Sequence, residues 1–212
     1  MKIVGVGCGP GLLTEEAIRA LRAARRVYGS RRAIEIAGPV LPRSAEVHEI
    51  RDYSTLDIPA DAVLLSTGDP MLAGLGEREG EVIPGISSLQ LSFARLRLPL
   101  VKVAVVDGHG RDPGQAIAET VGEVRRGKIV FLIPDPSFPL KDLAGTLAGE
   151  GISCPEGPRS PPDDPGSLLD PGSCTIALCE DLGYPAERIV RGTPANPPEI
   201  RSRLFSLVIG RF

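Results

Sequence analysis

Gly5-Val6-Gly7-Cys8-Gly9-Pro10-Gly11-Leu12-Leu13-Thr14 decides the reading of this chain. The run joins a short apolar strand, Lys2 to Val6, to a helical pattern that Thr14 opens. Glycines at such a turn allow another group close to the backbone, and the helix start offers unpaired N–H groups to an anion or polar ligand. A dinucleotide-binding loop would need a third glycine at a fixed spacing. Counted from Gly5, that place holds Pro10; from Gly7 it holds Leu12; from Gly9 it holds Thr14. The location is therefore Rossmann-like and the loop is not. Pro10 removes a donor and stiffens the turn. Two readings stand on this segment alone, a ligand loop and a plain glycine-rich β–α turn.

Outward from the loop, strands and helices alternate. Thr14 to Arg25 reads as a helix: Thr14 caps it, Glu15 and Glu16 fill the first turn, and Arg22, Arg25 and Arg26 lie at its end. Ala17, Ile18, Leu21 and Ala24 repeat at helical spacing. Val27-Tyr28 reads as a strand, Ser30 to Ile36 as a helix, Glu46 to Ile50 as a polar strand that leaves His48 on the surface. Ala62 to Leu65 and Val82-Ile83 are buried strands, and a helix runs from Ile86 or Ser87 to Leu96. This β–α repeat predicts a mostly parallel sheet. The second half holds strands at Val103–Val106, Lys128–Ile133, Cys174–Cys179, Ile189-Val190 and Leu204–Ile209, with helices at Pro113–Arg125 and Leu140–Ala148. Its last strands read as antiparallel, so the second sheet is mixed. The fold class is α/β, with two α/β domains, residues 1–100 and 101–212. Six prolines between Pro155 and Pro171 mark a surface loop.

Composition excludes several classes. The 212 residues suffice for one large or two small domains. A net charge of −3 argues against a nucleic-acid binder. No apolar run reaches the length of a membrane span or resembles a signal peptide, and the expected location is the cytoplasm. Cys8, Cys154, Cys174 and Cys179 lack C-x-x-C spacing, and His48 and His109 are the only histidines, so no metal site is expected. Cys8 has no evident base beside it and reads as a small residue in a tight turn. Arginine outnumbers lysine twenty to four, which supplies forked donors for carboxylates.

The informative motifs all follow strands: Gly7–Thr14, Ser66-Thr67-Gly68-Asp69-Pro70, Pro84-Gly85-Ile86-Ser87-Ser88 and Asp107-Gly108-His109-Gly110-Arg111. Ligands of open α/β sheets bind beyond the carboxyl ends of strands. Singly, each motif is also an ordinary turn, in which Asp69 bonds its own backbone. Together and in this order, the Gly5–Thr14 loop, the Gly68-Asp69-Pro70 turn and Ile83–Ser88 resemble the tetrapyrrole methylase family. Ile86–Leu91, Gly108–Arg111 and Leu182–Gly192 resemble the branch that methylates carbon 5 of precorrin-7 or cobalt-precorrin-7 in cobalamin biosynthesis. The resemblance runs from residue 1 to about residue 210.

The resemblance implies a class III methyltransferase architecture, S-adenosylmethionine as methyl donor, a cofactor cleft between the two domains, a corrin-ring acceptor and a homodimer. It places cofactor contacts on Pro10, Thr67, Gly68, Asp69, Leu72, Ser87, Ser88, Ile133 and Leu182. Asp69 would bond a ribose hydroxyl or the amino group of the methionine part. Arg111 is the residue assigned to an acceptor carboxylate, because its fork matches that group. His109 is assigned to the proton released around the macrocycle, or to holding its turn. Some relatives carry a further domain for carbon 15 methylation and decarboxylation; those activities are expected of a separate protein. This sequence departs from the family pattern at Asp107, where serine is usual, at Asp181, where asparagine is usual, in a short Met71–Gly80 segment, and in the Pro155–Pro171 stretch.

Overall fold

The computed structural model describes residues 1–53, 57–72, 74–152 and 174–212. The chain forms two compact units. The first comprises Met1–Leu91 with Leu182–Pro185, and the second Ser92–Asp181 with Ala186–Phe212. The division falls inside a helix rather than at the Leu98-Pro99-Leu100 bridge, and four residues from late in the chain return to the first unit. Local composition marks a bridge, whereas a domain is bounded by where few contacts cross. The Pro155–Pro171 loop and Cys154 lie outside the described residues.

The first unit is built on β1 (Lys2–Gly5), β2 (Arg26–Gly29), β3 (Glu46–Glu49), β4 (Val63–Ser66) and β5 (Glu81–Ile83). Their order is β3-β2-β4-β1-β5, and every neighbouring pair is parallel. Parallel strands put all their carboxyl ends on one edge, and β1 sits between β4 and β5. The loops after these three strands are therefore neighbours. Helix α1 (Glu15–Arg22) is capped by Thr14, whose side chain accepts from the Ala17 N–H. It stops short of Arg25 because Ala23, Ala24 and Arg25 turn the chain into β2. Ser30 caps α2 (Arg31–Ala37) in the same way. Val4, Ala17, Leu21, Val27, Leu65 and Ile83 form the core on one side of the sheet; Ile3, Ile50 and Leu64 pack on the other. β3 is an edge strand with all four residues exposed, and His48 stacks on its register partner Tyr28 at 4.6 Å between ring centroids.

Helix α3 (Ser88–Leu96) passes from the first unit into the second. There β6 (Val103–Asp107), β7 (Ile129–Ile133), β8 (Cys174–Glu180), β9 (Arg188–Gly192) and β10 (Phe205–Arg211) lie in the order β6-β7-β10-β8-β9. β6 and β7 are parallel; the remaining pairs are antiparallel, which confirms a mixed sheet. β8 and β10 pair over seven residues, from Phe205 opposite Glu180 to Arg211 opposite Cys174. α4 (Pro113–Arg125) starts at Pro113 behind an Asp112 cap, and α5 (Leu140–Gly149) follows β7. Val121, Val130, Leu132, Leu143, Leu147 and Leu178 are among the residues of this unit's core. Because β6 and β7 run parallel with Asp107 opposite Ile133, the loops that follow them open side by side.

Candidate functional site

Three glycine turns meet at the carboxyl edge of the first sheet. Gly7 and Gly68 form a two-residue bridge: the Gly68 N–H donates to the Gly7 carbonyl at 2.8 Å, and the Gly7 N–H to the Gly68 carbonyl at 3.3 Å. The Cys8 N–H donates to the Ile86 carbonyl at 2.9 Å. A Cβ on Gly85 would lie 2.2 Å from the Gly68 carbonyl oxygen, and one on Gly5 would lie 2.5 Å from the Gly85 nitrogen. Gly5 and Gly85 are thus glycine so that the turns can touch one another. A ligand is not what approaches them, contrary to the simplest reading of the loop. Gly68 and Gly11 differ. Both hold positive φ (71° and 78°), but among the described residues a Cβ on Gly68 meets only the Ser87 Cα at 3.7 Å, and one on Gly11 meets nothing within 4 Å. Space for a ligand remains at these two.

Side chains assigned to the cofactor are already tied into this edge. Asp69 accepts from the Met71 N–H (2.8 Å) with one carboxylate oxygen and from the Gly85 N–H (3.1 Å) with the other. It bonds its own turn, as the plain-turn reading expected, and also pins the neighbouring loop. Ser87 and Gln90 form a reciprocal N-terminal cap. The Gln90 N–H donates to Ser87 Oγ, while Gln90 Oε1 accepts from the Ser87 N–H and hydroxyl. The Leu72 N–H donates to the Asp69 carbonyl. Thr67, Leu72 and Ser88 are half-buried, and Pro10 is exposed. Ser66, just before Thr67, holds a buried hydroxyl without a hydrogen-bond partner among the described residues.

Leu182–Pro185 closes over the glycine-rich loop. A Cβ on Gly9 would lie 2.7 Å from the Gly183 carbonyl, and Gly183 itself has φ 80°. Leu182 is buried. Arg32 holds the assembly: one nitrogen donates to the Cys8 carbonyl at 2.8 Å, another to the Tyr184 hydroxyl at 3.1 Å, and its charge lies 5.7 Å from the Tyr184 ring centre. Sequence reading missed Arg32, because its partners are 24 and 152 positions away.

In the second unit the Asp107–Arg111 turn follows β6. Its Gly108 N–H donates to the Ile133 carbonyl at 2.8 Å, which ties it to the end of β7. Asp107 accepts from the His109 N–H at 3.0 Å. Serine can make the same turn bond, so the departure at Asp107 keeps the local geometry. His109 Nδ1 lies 2.8 Å from Asp135 Oδ1, and the Gly110 N–H donates to Asp135 Oδ2 at 3.1 Å. His109 and Arg111 are exposed, and Arg111 makes no ion pair among the described residues. Asp135 also escaped sequence reading, since only the β6–β7 pairing brings it beside His109.

Glu180, at the end of β8, is 1% exposed. Burial pushes its carboxyl upward, but the N–H groups of Arg201 and Ser202 and the Arg188 guanidinium outweigh that, and its pKa lies below the ordinary glutamate value. Asp181 follows at φ 49° and accepts from the Ser202 hydroxyl at 2.9 Å. Asparagine and aspartate both tolerate that conformation, which explains the exchange seen there. Burial first, and the Glu187 charge second, push the Cys179 thiol up to about 12, so it is no nucleophile. A hollow of about 550 Å³ opens at the opposite, amino ends of β1, β4 and β5. Lys2 and Glu81 on its wall pair with each other at 3.0 Å, and none of the strand-end loops reaches it.

The model of the tetrapyrrole (corrin/porphyrin) methylases matches residues 2–197. The chain belongs to that family. Membership brings methyl transfer from S-adenosylmethionine, as the resemblance implied. Among curated relatives, a probable cobalt-precorrin-7 C(5)-methyltransferase of Methanocaldococcus jannaschii is 28% identical over 168 residues, 70% of this chain and 77% of that one. A diphthine synthase of Pyrobaculum calidifontis is 32% identical over 132 residues, 49% of this chain and 51% of that one. The structure of a cobalamin-biosynthesis precorrin-6Y methylase of Archaeoglobus fulgidus superposes with a TM-score of 0.68 at 27% identity, covering 100% of this chain and 98% of that one. A uroporphyrin-III C-methyltransferase of Thermus thermophilus, solved with S-adenosyl homocysteine, shares the fold at a TM-score of 0.66 and 23% identity, covering 99% and 91%. Like these methylases, the chain pairs one parallel and one mixed α/β sheet. Among the described residues no helix is long and apolar enough to cross a membrane.

Proposed function

We propose that this tetrapyrrole methylase transfers a methyl group to carbon 5 of precorrin-7 or its cobalt form. The observation that carries the proposal is the Gly108–Arg111 turn, where an exposed guanidinium without an ion partner among the described residues stands beside an exposed histidine. A corrin precursor carries many carboxylates, and a forked donor suits them. The likeness to the Methanocaldococcus protein adds support.

The first-unit edge fits a polar cofactor on its own terms. Among the described residues, Gly68 and Gly11 leave open space, and the buried Ser66 hydroxyl has no partner. Pro10, Thr67, Gly68, Leu72, Ser88 and Leu182, all of the first unit, would hold S-adenosylmethionine through backbone and short side chains. Asp69 and Ser87 would act chiefly by fixing the turns that carry these groups. The cofactor supplies an activated methyl on a sulfonium. The chain therefore needs no nucleophile of its own; it must orient the acceptor carbon, exclude water and take up a proton.

The test is incubation with labelled S-adenosylmethionine and separate acceptors: precorrin-7, cobalt-precorrin-7, other corrin intermediates, and the protein acceptor of a diphthine synthase. Label is expected in one of the first two. Label in the protein acceptor instead would favour the second reading, raised by the diphthine synthase likeness.

A further inference from the structure

We infer that Asp135 is a positioning residue, which fixes the tautomer of His109 so that Nε2 takes the proton leaving the acceptor carbon. The inference rests on the proposed methyl transfer. Its observations are separate from it. Asp135 uses both carboxylate oxygens on one turn, Oδ1 at 2.8 Å from His109 Nδ1 and Oδ2 at 3.1 Å from the Gly110 nitrogen. A carboxylate only accepts, so Nδ1 must carry the hydrogen and Nε2 is left as the lone-pair nitrogen. The backbone is held from the other side by Asp107, through the His109 N–H at 3.0 Å. Two carboxylates from the ends of two parallel strands thus set the ring and its backbone, although the ring itself is 70% exposed. An exposed histidine with no further role needs no such pair of restraints.

The chemistry balances with this placement. The acceptor carbon forms its bond to methyl as the S–CH3 bond breaks, and sulfur keeps that electron pair. The carbon then gives up its own proton, which Nε2 receives. The Asp135 carboxylate, 2.8 Å from Nδ1, stabilises the imidazolium formed. It does not touch the acceptor.

The test uses the full chain with His48→Gln, which leaves His109 as the one histidine and makes its nitrogen resonances unambiguous. Long-range nitrogen–proton NMR at a pH where the ring is neutral is expected to show the Nδ1–H form. Asp135→Ala should move it toward the Nε2–H form and lower kcat roughly tenfold or more, with KM and S-adenosylhomocysteine affinity nearly unchanged. Asp135→Glu should recover part of both signals, which a purely structural role would not require. An unchanged tautomer in Asp135→Ala, or an unchanged kcat, overturns the inference. If the wild type methylates an acceptor other than precorrin-7, the proposed substrate fails, and the same two readouts on that acceptor still decide the role of Asp135.

Discussion

Single residues divide into those that hold the loops and those left to act. Asp69, Ser87 and Arg32 spend their polar atoms on backbone and neighbours. Arg111 makes no such bond among the described residues, and its chemistry follows. Arg111→Ala should weaken acceptor binding by roughly ten- to a hundredfold, the worth of a charged hydrogen bond, and leave cofactor affinity nearly intact. Arg111→Lys should recover only part, because an ammonium lacks the planar fork. Steady-state kinetics with calorimetry for the cofactor separates the two effects; loss of cofactor binding in Arg111→Ala would contradict the assignment. Cys179 gives a prediction of the opposite kind. Its thiol is pushed up to about 12 and buried in β8, so a thiol reagent at pH 8 should leave it unmodified until the protein unfolds. Peptide mapping by mass spectrometry reads this, and rapid native labelling at Cys179 would refute it.

At the scale of elements, the strand-end turns behave as one packed unit. Gly85→Ala should therefore destabilise the fold by roughly 1–3 kcal/mol or more, because its Cβ would enter the Gly68 carbonyl and neither backbone can retreat. Gly11→Ala meets open space and should cost only its backbone strain, about 1 kcal/mol. Thermal melts of the two variants rank them. Gly68→Val belongs to a third kind: its side chain would project into space that the protein leaves open, with strain at φ 71°. A folded Gly68→Val variant should lose S-adenosylhomocysteine binding. Unchanged affinity would remove the turn from the cofactor site. Sequence spacing located every one of these turns. It did not show which glycines face the chain and which face a ligand, since that depends on neighbours distant in sequence, such as Gly85 against Gly5 and Gly183 against Gly9.

At the scale of the molecule, Glu180 links acid stability to the second sheet. Its folded pKa is depressed, so its contribution is fully present above the unfolded value near 4.5 and is lost as pH falls through the folded one. Glu180→Gln should flatten the acid limb of the stability curve below about pH 4.5, as read by denaturant titrations across pH; an unchanged limb would place the acid sensitivity elsewhere. Pairing of two copies, implied by the family resemblance, remains a proposal. β6 is an edge strand and carries exposed Val105 close in sequence to exposed Leu100 and Val101. Edge strands of this kind need cover. Light scattering at micromolar concentration should give a dimer, and a monomer would refute it.

What the sequence by itself determined is local and periodic. Helical spacing and the Thr14 cap placed α1, and α2 and α4 were legible as helices at Ser30–Ile36 and Pro113–Arg125; that Ser30 and Asp112 cap them is shown by the structure. Apolar runs placed the strands apart from the polar β3, and their alternation with helices dictated a parallel first sheet. Three strand-end motifs carried the family resemblance, and the fourth, Gly108–Arg111, carried that to its branch. Tertiary structure alone decided the rest. It put Asp135 on His109 through the β6–β7 pairing, set Arg32 between Cys8 and Tyr184, and drew Leu182–Pro185 into the first unit. Each of these joins segments whose separation along the chain leaves no spacing to read. A hydrogen bond between distant residues exists only once the sheets have brought their loops together.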